Sequence, residues 1–275
     1  MSRPHWFVEL IKKLFPERFL FARLTNLPGV DRVVDYCLFH GDDVIYLPKD
    51  QTIQINEPIT KTDDMVLPSR VVEHFIESAS YHWIMDFCIC RSGNHCQDYP
   101  LEYGCIFLGE AVLQINPEFG HLVSKEEALE HARHCREMGL VHMVGRNKLD
   151  SVWLGANPAD RLMTICNCCP CCCLWKMLPY ITPMVGDKVS KMPGVSVTVS
   201  ELCAGCGTCA EGICFTEAIE MVGGYAHING DCRGCGRCVE VCPNQAIDLT
   251  IDEAAFVQQT IDRFMDRLPP AGTIM

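Results

Sequence analysis

The sequence predicts an α+β fold in which a mixed α/β domain rich in cysteine precedes a smaller, duplicated domain. Three observations support this class: short segments of strand-like alternation, helix-capping signals ahead of amphipathic segments, and two copies of one cysteine spacing near the C-terminus. A chain of 275 residues with 48% hydrophobic residues can bury a sizeable core. The patterns divide it into segments 1–80, 81–180, 195–252 and 253–275.

The first 24 residues carry apolar side chains at helical spacing, with basic residues on or near the polar side. This amphipathic pattern is compatible with peripheral contact between residues 1–24 and a membrane surface. We favour packing against the protein itself or a partner, because Pro4 and Pro16 keep the helix short.

Further elements follow from local patterns along the segment 1–80. Apolar pairs and alternation between Val33 and Asn56 predict short strands. A helix is predicted after Pro68, with Val72, Phe75 and Ile76 facing inward.

Capping signals predict two further helices. The capping box at residues 124–127 predicts a helix that ends near Met138, and a buried strand is expected at 140–144. A second capping box at 250–253 predicts a C-terminal helix. Within the duplicated segment, strands are expected at 195–199 and 225–228, and short helical turns at 216–220 and 244–247.

The duplicated segment contains two arcs of three cysteines, each followed by a fourth. The arcs and their fourth cysteines are Cys203, Cys206, Cys209 and Cys214, then Cys232, Cys235, Cys238 and Cys242. A Cys-x2-Cys-x2-Cys arc wraps the chain around one corner of an iron–sulfur cubane, whereas structural zinc uses separated Cys-x2-Cys pairs. Glycines flank the central cysteine of each arc, which suits tight turns with positive φ.

Residues of about 195–252 closely resemble the bacterial dicluster ferredoxins. The resemblance implies a ferredoxin-like duplicated domain with two [4Fe–4S] clusters, in which the fourth cysteine of each arc binds the other cluster. The implied ligand sets are Cys203, Cys206, Cys209 and Cys242 for one cluster, and Cys232, Cys235, Cys238 and Cys214 for the other. The arrangement of the whole chain is similar to multidomain ferredoxin-type proteins of anaerobes, whose upstream region has no secure function.

The first arc departs from the ferredoxin pattern in two ways. Four residues instead of three separate Cys209 from Cys214, and Phe215 replaces the usual proline. We expect Gly212 to accommodate the extra residue.

Ten upstream cysteines lie outside the ferredoxin pattern and form two groups. They are Cys88, Cys90, Cys96 and Cys105, and Cys166, Cys168, Cys169, Cys171, Cys172 and Cys173. This density of thiols predicts a third metal centre, an iron–sulfur cluster in preference to zinc, with ligands from both groups. A dithiol or persulfide relay and buried free thiols are the alternatives. The two other cysteines, Cys37 and Cys135, are expected to be single buried thiols.

The net charge of −12 excludes generic nucleic-acid binding and favours redox protein partners with basic docking patches. No apolar run is long enough to span a membrane, and the N-terminus lacks a secretory cleavage site. Twenty cysteines suit a reducing compartment, so a cytoplasmic location is expected.

Two functions are compatible with these patterns. The favoured one is an iron–sulfur electron-transfer protein that passes single low-potential electrons between redox partners. The alternative is an oxidoreductase whose upstream centre reduces a substrate, with His95 or Asp98 as proton donor and Trp83, Arg91, His95 and Tyr99 close to the centre. Nucleotide-binding glycine motifs are absent from the sequence.

Overall fold

The computed structural model describes residues 2–50, 53–55, 67–251 and 255–265. The described residues contain both helices and mostly antiparallel sheets, which confirms the α+β class. The strands are β1 (Asp43–Tyr46), β2 (Ile53–Ile55), β3 (His82–Met85), β4 (Ile106–Leu108), β5 (Gly120–Val123), β6 (Val141–Arg146), β7 (Met163–Cys168), β8 (Val189–Lys191), β9 (Val195–Val199), β10 (Ile219–Val222), β11 (Tyr225–Ile228) and β12 (Ile247–Ile251). The α-helices are α1 (His5–Leu14), α2 (Arg18–Leu24), α3 (Val30–Val34), α4 (Pro68–Ser78), α5 (Ile89–Gly93), α6 (Lys125–Glu137), α7 (Lys148–Leu154), α8 (Pro183–Gly186), α9 (Arg237–Val241) and α10 (Ala255–Met265).

A seven-stranded sheet forms the centre of the upstream part, in the order β5-β3-β4-β7-β6-β1-β8. Neighbouring strands are antiparallel except for β1 and β8, which run parallel. Strand β6 is buried along five consecutive residues because other elements cover both faces of the sheet. Since β1 pairs with β6, the segments 1–80 and 81–180 contribute to the same sheet.

Two smaller sheets surround the duplicated cysteine arcs. Strands β10 and β11 form a hairpin, and β12 lies between β9, which is antiparallel to it, and β2, which is parallel. Leu249 and Ile251 of β12 are buried in the core that α4 and α10 also enter, where Phe75 and Phe264 meet edge to face at 6.0 Å. The cysteine arcs are therefore fixed to the rest of the protein by a shared apolar layer.

Several predicted elements are confirmed. Helix α6 begins with the expected capping box: Ser124 Oγ accepts from the Glu127 amide at 3.2 Å, and Glu127 Oε2 accepts from the Ser124 amide at 2.8 Å. The inward-facing residues predicted for α4 are buried, and β6, β9 and β11 lie where strands were expected.

Other predictions of local structure are wrong. The β-branched and aromatic run after Val33 continues α3 into a π-helix, Asp35–Phe39, because Val34 and Phe39 pack inward against Trp175 and its neighbours. The predicted helical turns at 216–220 and 244–247 give way to turns that lead into β10 and β12. The second capping box lies partly outside the described residues.

The N-terminal helices bury one side and expose the other. Val8, Phe15 and Ala22 are buried, whereas Trp6 and Leu14 expose 65% and 57% of their surface. None of the helices in the described part of the chain is long and apolar enough to cross a membrane.

Candidate metal centres

Four cysteines of the duplicated segment surround one small cavity: Cys203, Cys206, Cys209 and Cys242. The first arc turns at Gly205, whose φ is +69° and whose added Cβ would lie 2.1 Å from the Gly224 carbonyl oxygen. Only glycine fits this close approach of two backbones. The Ala226 and Ala246 amides donate to the sulfurs of Cys203 and Cys242 at 3.5 and 3.2 Å.

The other four cysteines surround a second cavity of the same kind: Cys214, Cys232, Cys235 and Cys238. Amides of Gly234 and Ala218 donate to the sulfurs of Cys232 and Cys214 at 3.4 and 3.3 Å. The structure thus brings the fourth cysteine of each arc beside the three cysteines of the other arc. Gly212 has a φ of +72°, so the extra residue before Cys214 is accommodated in a left-handed turn.

The two cavities differ in their distance from solvent. Cys206 is exposed, and the apolar side chains of Leu202, Val222 and Tyr225 in the same segment are exposed as well. Cys235, in contrast, packs against the apolar core of the upstream part. Burial raises the pKa of Cys209, Cys232 and Cys235, so these thiols need a bound metal to become thiolates near neutral pH.

Residues 225–248, which include β11, the second arc and Cys242, match the family model of the 4Fe-4S binding domain. The chain carries an iron–sulfur domain of the ferredoxin type. Comparison with curated proteins and with solved structures finds no match. The matched residues and the clustered cysteines support an iron–sulfur electron-transfer role.

Upstream of the ferredoxin-type domain, four cysteines converge into a compact group, the sulfur tetrad: Cys96, Cys169, Cys171 and Cys172. All four sulfurs lie within 4.8 Å of one another. Three of them come from the turn that follows β7, and the fourth lies just after α5.

The other six upstream cysteines line a cavity of about 520 Å³, which Cys169 of the tetrad also borders: Cys88, Cys90, Cys105, Cys166, Cys168 and Cys173. Their sulfurs form contacting pairs, Cys105 with Cys166 at 3.5 Å and Cys168 with Cys173 at 3.6 Å. Much of the remaining wall is aliphatic and aromatic, with Trp153 and Trp175 among its residues. The structure therefore arranges the ten cysteines as a tetrad and an adjoining cavity wall, with Cys169 belonging to both.

Three buried arginines border these upstream cysteines: Arg18, Arg91 and Arg237. Arg91 is fully buried and donates to the carbonyl oxygens of Asn167 and Tyr103. No carboxylate pairs with any of the three within the described residues. A buried guanidinium without a counter-charge is costly, so negative charge on the neighbouring sulfurs would compensate it.

The sulfurs of the cavity wall are electrostatically unequal. A hydrogen bond from the Cys90 thiol lowers the pKa of Cys88 to about 7, and hydrogen bonds from Cys166 and Cys173 hold the pKa of Cys168 far below that of a free thiol. Burial raises the pKa of Cys173. The tertiary structure thus favours thiolates at particular positions.

A contact zone joins this cavity wall to the ferredoxin-type domain. Arg237, the first residue of α9 and two residues after Cys235, donates to the carbonyl oxygen of Cys168. Phe215 packs against Tyr46 with ring centroids 4.6 Å apart, and the Tyr46 hydroxyl lies 3.0 Å from the Cys173 sulfur. Sequence reasoning missed Tyr46 and Arg237, because no local motif indicates contacts between segments so far apart.

The residues suggested as neighbours of an upstream centre have different positions. Arg91 borders the cysteines, Tyr99 packs beside the sulfur tetrad, and Trp83 lies in the apolar cluster that also contains Cys105. His95 and Asp98 are exposed and do not line the cavity. Asp150 does line it, and burial raises its pKa to about 6 despite hydrogen bonds from Trp153 Nε1 and Thr164 Oγ1.

The two cysteines outside these groups also differ. Cys135 is buried as expected, and burial raises its pKa to about 12. The prediction for Cys37 is wrong: its side chain is exposed, because the π-helix turns this position away from the core.

Proposed function

We propose that the protein carries two [4Fe–4S] clusters and passes single low-potential electrons between redox partners. The proposed outer cluster is bound by Cys203, Cys206, Cys209 and Cys242, and the proposed inner cluster by Cys232, Cys235, Cys238 and Cys214. The observation that carries this proposal is the contrast between exposed Cys206 and inward-packed Cys235. Electrons would enter at the outer cluster and leave through the inner one.

The route beyond the inner cluster is supported by the contact zone. Phe215 and Arg237 both line the inner cavity. Phe215 packs against Tyr46, whose hydroxyl lies beside the Cys173 sulfur, and Arg237 donates to the carbonyl oxygen of Cys168. Tyr46 and the Cys168 carbonyl continue the packed path without an intervening solvent gap, since all these groups are buried. Continuous packing of this kind favours electron transfer over a short distance.

The partner is expected to present a basic surface. Residues 201–253 contain nine Asp and Glu against two Arg, and one of those arginines, Arg237, is buried. Such an acidic surface steers positively charged partners toward the ferredoxin-type domain, where Cys206 is exposed. Thiolate-rich clusters belong in a reducing compartment, so we propose a cytoplasmic location.

A reductase is the second candidate, and the 520 Å³ cavity is the observation that favours it. Cavities of this size, mostly apolar with a few polar groups, are typical of small-molecule sites. Asp150, rather than His95 or Asp98, lines this space, and its raised pKa suits it to exchange a proton at mildly acidic to neutral pH. Binding of a small apolar probe, measured by quenching of Trp153 or Trp175 fluorescence, would distinguish an open pocket from a site filled by a third cluster.

The exposed side of the N-terminal helices supports a peripheral membrane contact. Trp6, Leu10 and Leu14 lie four residues apart along α1 and are all exposed, with Lys12 and Lys13 nearby. We propose that an anionic lipid surface covers this stripe, because residues 1–24 carry five Lys and Arg against two Glu in an otherwise acidic protein.

Cluster content tests the main proposal. Full-length protein purified without oxygen should contain about eight iron atoms and matching sulfide for the two ferredoxin-type clusters. Cys206→Ala should damage the outer cluster alone and Cys235→Ala the inner one, each leaving the other cluster's reduced EPR signal. Cys37→Ala is the matched control, because this cysteine is exposed and outside every group. Full iron and unaltered spectra in both cluster variants would reject the ligand assignment.

A further inference from the structure

The sulfur tetrad is too compact for a four-iron cluster. Cys171 Sγ lies 3.5 Å from both Cys96 Sγ and Cys169 Sγ, and 3.6 Å from Cys172 Sγ. A single tetrahedral ion with metal–sulfur bonds of about 2.3 Å places neighbouring thiolates about 3.8 Å apart. Thiolates around a cubane are held much further apart, because four irons lie between them.

The ferredoxin-type sets provide an internal comparison. Within the described residues, the tetrad is the one group of three or more such ligands whose atoms all lie so close together. The eight ferredoxin-type cysteines surround cavities instead, as expected for ligands of a larger inorganic core. The same protein thus contains two kinds of cysteine site.

We propose that Cys96, Cys169, Cys171 and Cys172 form a closed structural site for one tetrahedral thiophilic metal ion, with zinc as the ion. Four thiolates complete the tetrahedral coordination of zinc and leave no open position for a substrate. The site is distinct from the proposed iron–sulfur clusters and does not carry electrons.

Local backbone geometry supports a preformed ligand turn. The Cys172 amide donates to Cys169 Sγ at 3.3 Å, so the turn after β7 already directs one N–H group to a ligand sulfur. Asn94 connects the two ligand segments, because its side-chain amide donates to the carbonyl oxygens of Cys90 and Cys172. An ion here would cross-link segments that lie 75 residues apart in sequence.

Burial and charge also suit a bound ion. Cys169 and Cys172 are 1% and 5% exposed, and Cys96 and Cys171 are partly covered. Four thiolates with one divalent cation have a net charge of −2. The guanidinium groups of Arg18 and Arg91, both buried without a carboxylate partner within the described residues, interact electrostatically with Cys169 and would offset this charge.

The proposed ion would hold the turn between Cys168 and Cys173 in place. These two cysteines flank the tetrad residues in sequence and form the part of the cavity wall that Tyr46 and Arg237 contact. The site therefore organises the surface where the ferredoxin-type domain meets the upstream cysteines.

X-ray absorption and metal analysis of the full-length protein, purified without oxygen, test the proposal. We expect one zinc per chain with four sulfur neighbours at about 2.3 Å and no second metal nearby. The double variant with Cys96→Ser and Cys171→Ser should lose this zinc ion. It should keep the iron and the EPR signals of the ferredoxin-type clusters. Cys37→Ser should keep both metals.

One iron with four sulfur neighbours, lost in the same double variant, would support the site and identify the ion as iron. The proposal would be overturned if part of the iron–iron scattering disappeared in the double variant, because a multi-iron cluster would then occupy the tetrad. Four free thiols in the native protein would also overturn it. The zinc-edge spectrum of the unmutated protein decides even if the double variant misfolds: one zinc with four sulfur neighbours supports the site, and no bound zinc rejects zinc as its ion. Absence of ferredoxin-type EPR signals would reject the electron-transfer proposal without affecting this one.

Discussion

Replacing Arg237 with glutamine should lower the reduction potential of the inner cluster selectively. The guanidinium is 5% exposed and lines the inner cavity, and its carbon lies 5.8 Å from the Phe215 ring in the same wall. At a separation of about 7 Å and an effective dielectric constant of about 20, one unit charge contributes about 2 kcal/mol. Loss of this positive charge makes electron addition harder, by about 100 mV for a one-electron couple.

Redox titration monitored by EPR measures this shift. The outer cluster should change little, since Arg237 lies in the wall of the inner cavity only. Arg237→Lys keeps the charge and should shift the potential less than glutamine does. Arg233→Gln is the control. Arg233 lies in the same arc but is only half-buried, so solvent screens its charge more strongly and its loss should shift the potential less. An unchanged inner potential, or equal shifts of both clusters, would refute the reasoning.

Three further predictions concern other parts of the molecule. Gly205→Ala should abolish the outer cluster because its Cβ would collide with the Gly224 carbonyl, whereas Gly230→Ala, with no atom within 4 Å, should keep full iron content. Reduction by a basic redox partner should slow as ionic strength rises, and a stopped-flow rate indifferent to salt would contradict the acidic docking surface. The double variant with Trp6→Ala and Leu10→Ala should bind anionic vesicles at least several-fold more weakly in a sedimentation assay, since each side chain contributes apolar area buried in the lipid. Unchanged binding would exclude α1 as the membrane contact.

The arcs could be predicted from sequence because their information is local. Three cysteines at intervals of three residues, with glycine on both sides of the central one, specify both the turn and the metal-binding chemistry within ten residues. The capping box at Ser124 is local in the same sense, and the helix begins where it indicates. Such features can be recognised in the sequence without knowing how the rest of the chain folds.

The upstream centre could be predicted only in outline. The density of thiols indicates metal, but the division into a tetrad and a cavity wall depends on β7 ending at Cys168. Beyond that point the chain turns at Pro170, and Cys169, Cys171 and Cys172 meet Cys96 from a distant segment. Likewise, the strand-like run after Val33 is helical because tertiary packing outweighs its β-propensity.

The central claim, that two clusters form a relay within one chain, is tested most directly by EPR of the fully reduced full-length protein. We expect about two electron spins per chain, from two reduced [4Fe–4S] clusters close enough for their signals to broaden each other. Replacement of Cys206 should leave about one spin and remove the broadening. A single unbroadened cluster signal in the unmutated protein, or none, would show that the chain does not hold a two-cluster relay.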